Sequence, residues 1–428
     1  MEDRKILTTA ARRSDAILFG VTPHGDERSA SEVLEELAEL ADTGNFTVSG
    51  FVAQHRRHPD PNLYLGRGKL DELVELATET GAQAIICDDP LSPAQGRNIE
   101  RLLKDVAVLD RSELILHIFG THARTAQARL QVELARLEYQ LPRLKRMWTH
   151  LERQRGGIGL RGGAGEKQID LDRSELRTKL SRIRRQLVDI AKRKKREVRT
   201  REENFTAACV GYTNAGKSTL MNTLTDAGVL SENRLFSTLD TRTRPWTLPG
   251  NRLALLSDTV GFIKKLPHQL VASFHATLEE ALNADLLLLV LDGSNPQAIE
   301  HLHTVEEVID DLGAADTERI YVVNKQDQIK DMSLLAPIHR HGGHSVVVSA
   351  KTGFGLEDLA ALVFERMTEE EKVVDLLIPH TLGGLRSELR GQATVLEERF
   401  DEQGCRMRLQ LGRRTLGRLL AKGALMDQ

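Results

Sequence analysis

Eight consecutive residues carry a chemistry that their spacing names: Gly211-Tyr212-Thr213-Asn214-Ala215-Gly216-Lys217-Ser218. They fit G-x-x-x-x-G-K-[ST] at every fixed position. A glycine turn that opens a helix aims backbone N–H groups into one concave space. The helix dipole behind them favours a polyphosphate. In this reading Lys217 reaches the β- and γ-phosphates, and the Ser218 hydroxyl ligates Mg²⁺. Three further clusters follow. Asp258-Thr259-Val260-Gly261 comes just after the apolar run 253–256. A carboxylate there can hold the Mg²⁺ shell through water, and the glycine N–H can meet the γ-phosphate. Asn324-Lys325-Gln326-Asp327 follows the apolar run 320–323. An aspartate in that place accepts from guanine N1–H and the exocyclic amine, a donor pair that adenine lacks. Ser349-Ala350-Lys351 follows the run 345–348 and can cover the base. The expected ligand is GTP, with Mg²⁺ as its metal.

Such groups need rigid supports. Residues 205–210 read as a strand that feeds the loop, and 219–224 as the first turns of a helix behind it. All four motifs stand at strand ends, in the order of the regulatory GTPases, which this region resembles. Between the first two lies Phe236-Ser237-Thr238-Leu239-Asp240, where a switch segment belongs. Thr238 is the candidate to complete the Mg²⁺ shell and sense the γ-phosphate, with Thr241 and Thr243 as near rivals. Lys217, Thr238 and Gly261 are the candidate catalytic groups; Ser218 and Thr238 are the candidate metal ligands. Many regulatory GTPases place Gln after Asp-x-x-Gly to orient the attacking water. Here that residue is Phe262. An apolar ring cannot orient water, so slow hydrolysis is expected until a partner orders the switch.

The chain has 428 residues, enough for about three domains. Its hydrophobic fraction of 40% suffices for ordinary soluble cores. The longest apolar run falls far short of the ~20 residues needed to cross a bilayer, and residues 1–15 are too polar for a signal peptide. Cys87, Cys209 and Cys405 form neither a disulfide framework nor a metal-ligand spacing. A cytoplasmic protein is expected, acting as a monomer. An aromatic fraction of 4% argues against a stacking platform for single strands.

The formal net charge of −3 conceals an uneven distribution. Residues 124–199 hold 22 Lys and Arg against 9 Asp and Glu, while the rest holds 37 against 53. A basic arm of +13 thus stands on a body of −16. Such an excess, confined to one helical unit, favours an RNA-facing surface over a merely solvated face. Two leucine stripes run through it: Leu130, Leu134, Leu137, Leu141, Leu144, Trp148 and Leu151, then Leu176, Leu180, Ile183, Leu187 and Ile190. They predict an antiparallel helical hairpin, interrupted at Pro142. Six of the ten residues 156–165 between the stripes are glycine.

The rest of the chain supplies supports. Residues 16–123 alternate strands and helices (strands 16–21, 47–52 and 83–87; helices 29–40, 69–78 and 93–103). This is an α/β layer with a partly parallel sheet. Gly66-Arg67-Gly68-Lys69 in it reads more readily as a turn into a helix than as a phosphate site. Residues 369–428 read as strand, helix, hairpin, helix. The expected architecture is α/β and multidomain. It comprises an N-terminal α/β domain (1–123), a basic antiparallel helical hairpin (124–200), a P-loop GTPase domain (201–368) and a small C-terminal α+β domain (369–428).

Over nearly its whole length the chain resembles the HflX family of ribosome-associated GTPases. The likeness rests on the residue 211–218 loop, on Thr238-Leu239-Asp240, and on Asp258-Thr259-Val260-Gly261-Phe262. Gly66-Arg67-Gly68-Lys69 and the glycine loop ahead of the basic helix add to it. The resemblance implies a factor that binds the large ribosomal subunit and its rRNA, hydrolyses GTP there, and splits or rescues ribosomes under stress. Two rival readings stand beside it: a GTP-dependent helper of RNA modification or ribosome maturation, and a protein-docking switch. The basic arm disfavours the docking switch, and the absence of a recognisable modification motif weakens the helper.

Overall fold

The computed structural model describes residues 13–22, 28–103, 106–143, 164–198, 205–225, 235–236, 242–265, 283–330, 338, 344–369, 371–389 and 393–427. They fall into two compact units. One holds the described residues up to Ile190 together with Leu235, Phe236 and Lys265; the other holds the rest.

The first unit is built on four strands, β1 (Ser14–Thr22), β2 (Phe46–His55), β3 (Ala84–Cys87) and β4 (Ala107–Asp110), in the order β2-β1-β3-β4. Every pairing is parallel, so the sheet is wholly and not partly parallel. Helix starts carry their own signals. Ser29 with Glu32, and Ser92 with Gln95, form capping boxes, and Pro93 opens its helix. The helix expected over 29–40 is two, Ala30–Val33 and Glu35–Thr43. The chain bends at Leu34, which buries completely against Gly20. The Gly66-Arg67-Gly68-Lys69 stretch opens the Arg67–Thr80 helix, and the Gly66 N–H is taken by Gln54 Oε1 at 2.7 Å.

Asp110, at the end of β4, ties the arm to this sheet. Its carboxylate accepts from the N–H groups of Leu91 and Glu113, each at 3.0 Å, and from the Tyr139 hydroxyl. Tyr139 belongs to the Ala126–Gln140 helix, which ends in a 3₁₀ turn, Leu141–Arg143, around Pro142. Arg143 lies over the Tyr139 ring at 3.5 Å and donates to the Leu91 carbonyl at 2.7 Å.

The second arm helix is Ala164–Val198. Leu134, Leu137, Leu180 and Ile183 form a buried seam between the two helices, flanked by Leu130, Leu141, Leu176 and Leu187. Lys179 pairs with Glu133 at 2.6 Å and Arg184 with Glu138 at 2.7 Å. Both pairs advance along the two helices together. The Ala126–Gln140 and Ala164–Val198 helices therefore run in the same direction, so the described part of the first stripe is not antiparallel to the second. A leucine stripe fits a neighbour of either direction; the cross-helix charges distinguish them. Leu144, Trp148, Leu151 and most of the glycine-rich 156–165 stretch lie outside the described residues.

The second unit contains the sheet that carries the four motifs: β5 (Phe205–Gly211), β6 (Arg242–Leu248), β7 (Arg252–Asp258), β8 (Leu286–Asp292), β9 (Arg319–Asn324) and β10 (His344–Val347). Their order is β10-β9-β8-β5-β7-β6, parallel except for the edge strand β6. The strand order reverses at β5, and ligands of open α/β sheets sit at the carboxyl ends of such a switch point. The core is apolar: Leu286, Leu288, Val290, Ile320 and Val322 are fully buried.

The same unit holds a four-stranded antiparallel sheet, β11 (Lys372–Pro379), β12 (Thr394–Phe400), β13 (Gly404–Leu411) and β14 (Leu425–Met426), in the order β12-β13-β11-β14. With the helices Gly383–Leu389 and Arg413–Ala421 it reads βαββαβ. Arg252 anchors its start, donating to Glu371 at 3.2 Å and Thr394 at 3.1 Å. Both members of the ion pair are buried. Removing one partner would leave a buried charge, about 3–5 kcal/mol.

Candidate active site

The loop 211–216 leaves β5 and opens the Lys217–Leu224 helix. Gly216 has φ 90°, a left-handed conformation, and a Cβ there would collide with the Asn324 amide. This is why glycine is needed at that position. Lys217 is buried and donates to the carbonyls of Gly211 at 3.0 Å and Tyr212 at 2.7 Å. Those bonds aim the ammonium back over its own loop. Ser218 Oγ donates to Asp258 Oδ2 at 2.6 Å. A hydroxyl and a carboxylate side by side are hard oxygen donors suited to Mg²⁺. Among the described residues no group of three or more His, Cys, Asp or Glu could cage a metal.

Thr259 serves the scaffold: its hydroxyl donates to the Cys209 carbonyl at 2.8 Å, and its side chain is fully buried. Val260 is also buried. Gly261 lies against the loop, so that a Cβ would come 3.0 Å from Lys217 Nζ. Phe262 is buried; a ring so placed cannot orient a water.

The base-side motifs meet across β5, β9 and the end of β10. Asn324 donates to the Ala215 carbonyl and accepts from the Ala350 N–H, each at 2.9 Å. One side chain thus joins the first, third and fourth motifs. Ser349 Oγ donates to Asp327 Oδ1 at 2.7 Å, and that bond holds the exposed Asp327 carboxyl below its ordinary range. Gln326 N–H donates to the Val348 carbonyl at 3.1 Å. Lys351 is exposed beside them, and Asn214 takes a left-handed turn at φ 61°.

These four clusters converge at the carboxyl ends of one six-stranded sheet. Residues 206–325 match the family model "50S ribosome-binding GTPase". Residues 31–120 and 122–201 match the N-terminal and middle regions of "GTP-binding GTPase". A curated relative from Lacrimispora saccharolytica, "GTPase HflX", is 41% identical over 91% of this chain and 92% of its own. The chain belongs to the HflX family of GTPases. Its Escherichia coli K12 relative of the same name is 39% identical over 87% of this chain and 88% of its own. A GTP-binding protein from the archaeon Sulfolobus solfataricus, solved in complex with GDP, is 26% identical. The match covers 83% of this chain and 99% of that one, with a TM-score of 0.45. As an HflX GTPase the chain binds guanine nucleotides and hydrolyses GTP. Among the described residues no helix is long and apolar enough to cross a membrane.

The switch segment is only partly described. Ser237, Thr238, Leu239, Asp240 and Thr241 lie outside the described residues. Phe236 falls in the first unit, buried, with its ring edge-on to Phe119 at 4.6 Å. Thr243 lies on β6, and its hydroxyl meets Ser257 Oγ at 2.9 Å. It serves the β6–β7 pairing.

One neighbour of these motifs is not read from the sequence. Asp292, at the end of β8, pairs with Lys325 at 2.6 Å and accepts from Ser294. It holds the lysine that adjoins Asn324 and Asp327. The signal available to sequence reading is an acidic residue closing a six-residue apolar run.

Burial lowers the Lys217 pKa to about 8, against the attraction of Asp258. Protonated lysine is the form that attracts phosphate, so with Lys217 as the expected phosphate ligand, affinity for GDP should hold below pH 8 and fall as pH rises above it. The fall approaches tenfold per unit where only the protonated form binds. In the free protein the sign is opposite. The buried charge weighs against folding below about pH 8, and the burden lifts as pH climbs toward the ordinary 10.5. Calorimetric titrations with GDP from pH 7 to 9 check the first effect; an affinity flat to pH 9 refutes it.

Proposed function

We propose that this HflX-family chain is a GTP-driven factor of the large ribosomal subunit that splits or rescues ribosomes under stress. The observation that carries the reading is the basic arm. Arg177, Arg182 and Arg185 are exposed on the Ala164–Val198 helix, outside the leucine seam that buries Leu180 and Ile183. A rigid helix with one face buried and the other charged suits an RNA backbone. The matched description of a 50S ribosome-binding GTPase supports the same partner.

In this reading Ser218 and Thr238 would hold Mg²⁺, which would supply charge neutralisation to the phosphates. Lys217 and the amides of residues 213–218 hold the phosphates. The Gly261 N–H meets the γ-phosphate, Asp327 reads guanine, and Ser349, Ala350 and Lys351 cover the base. Phosphoryl transfer depends on positioning and charge rather than covalent chemistry by the protein. Because Phe262 offers no group to the water, the ribosome supplies the missing order, and intrinsic turnover is slow.

The test uses Arg182→Glu combined with Arg185→Glu. Melting temperature and intrinsic GTPase rate should stay as in the wild type, since both residues face solvent. Co-sedimentation with large subunits at moderate salt should fall on the order of tenfold or more, and ribosome-stimulated hydrolysis and light-scattering loss should fall with it. Wild-type binding should weaken steeply with salt. Undiminished binding by the variant would refute the arm as the ribosome-facing surface.

A further inference from the structure

Tyr212 occupies a free position of the phosphate-loop pattern, yet it is buried and engaged on two sides. Its ring stacks on His301 of the Ala298–Asp311 helix, with centroids 3.8 Å apart and planes 2° from parallel. Its hydroxyl accepts from the Lys264 N–H at 2.8 Å. Lys264 in turn pairs with Glu300 at 2.9 Å. The segment that follows Asp258 is thus tied to the loop and to the helix beside it.

The backbone repeats the tie. Thr213 N–H donates to the Phe262 carbonyl at 2.7 Å, and Phe262 N–H donates to the Gly211 carbonyl at 3.1 Å. Gly261 is pressed so close that a Cβ would sit 3.0 Å from both Thr213 Cα and Lys217 Nζ. A carbonyl oxygen therefore occupies an amide of the phosphate loop, a row of donors otherwise suited to phosphate oxygens. A terminal phosphate has to be met by the Gly261 N–H. For that, residues 261–262 must lift from Thr213 and Lys217. A diphosphate makes no such demand.

We propose that Tyr212 is a positioning residue that sets discrimination between GTP and GDP. It staples residues 261–264 onto the phosphate loop in an arrangement that favours the diphosphate. A triphosphate releases the staple, and the loss of that bond weakens its net affinity. A tether present in one state alone shifts the balance by its own strength. One hydrogen bond between neutral groups corresponds to about three- to tenfold.

The test is Tyr212→Phe, which removes the hydroxyl and keeps the ring on His301. Affinities for GDP and for a non-hydrolysable GTP analogue are measured by fluorescence titration. The ratio of analogue affinity to GDP affinity should rise about three- to tenfold over the wild type. The Lys264 amide should also exchange hydrogen faster in the GDP complex. His301→Ala, outside the loop, keeps the hydroxyl and loosens the stack. It should move the analogue-to-GDP ratio the same way by less, and it carries the test alone if the loop variant is unstable. A purely structural role would weaken both nucleotides together and leave the ratio fixed. A fixed ratio, or a shift toward GDP, overturns the proposal.

Discussion

Lys217→Ala should lower affinity for GTP and GDP on the order of a hundredfold while leaving the fold intact. The lysine is placed for charge-assisted bonds to phosphate, each of about 1.5–3 kcal/mol, and about 1.4 kcal/mol is a factor of ten. The sequence suggests a side chain that meets ligand rather than core. The structure refines this, since Lys217 is only 6% exposed and its ammonium is held by the Gly211 and Tyr212 carbonyls. Burial also depresses its pKa to about 8, so removing it relieves the fold of a desolvated charge. The Gly211 carbonyl keeps a second donor, the Phe262 N–H at 3.1 Å. Melting should therefore stay close to the wild type. Calorimetry with GDP and GTP decides the matter; an unchanged affinity in a folded variant would sink the assignment of the loop.

The nucleotide loop was legible because its chemistry fixes residue types at fixed spacing. Gly216 cannot carry a side chain beside Asn324, and the G-x-x-x-x-G-K-[ST] pattern sets Lys217 and Ser218 directly after it. The strands beneath were legible because a sheet covered on both faces needs continuous apolar runs, as in Leu286–Asp292. Residues 242–248 gave no comparable signal. Arg242–Leu248 contains Pro245 and two exposed polar residues, Arg242 and Thr247, the composition of an edge strand, and it pairs on one side only. The short β4 and the helix Arg111–His122 after it were missed for a related reason. Arg111 is buried by ion pairs with Glu36 and Asp88, so its charge masks a core position.

Relations between distant residues were the least legible. A leucine stripe states which face of a helix is buried and leaves the neighbour's direction open. Glu133 with Lys179, and Glu138 with Arg184, decide it. Tyr212 stands at a position where the pattern allows any residue, and its stacking on His301 spans most of the nucleotide domain's sequence. Asp292 meets Lys325 from the neighbouring strand for the same reason: adjacency in the sheet, not in the chain.

That base-side neighbourhood carries the second large effect. Asp327→Asn should cut affinity for guanine nucleotides by about a hundredfold or more and shift preference toward xanthine nucleotides. Asp327 is fixed by the Ser349 hydroxyl, which donates to Oδ1 at 2.7 Å and keeps the carboxyl ionised. An ionised carboxylate accepts from both guanine donors, and each charge-assisted bond is worth about 1.5–3 kcal/mol. The amide of Asn retains an oxygen for Ser349, so the loop keeps its shape. Its NH₂ group then faces the guanine amine, donor against donor. Xanthine carries an oxygen at that carbon and accepts from the same NH₂. Asn324 and Ala350, which brace the site through bonds of 2.9 Å, are untouched. Displacement of a fluorescent nucleotide by GDP and by XDP, in wild type and variant, gives the ratio directly. If GDP outcompetes XDP in the variant as it does in the wild type, Asp327 does not read the base.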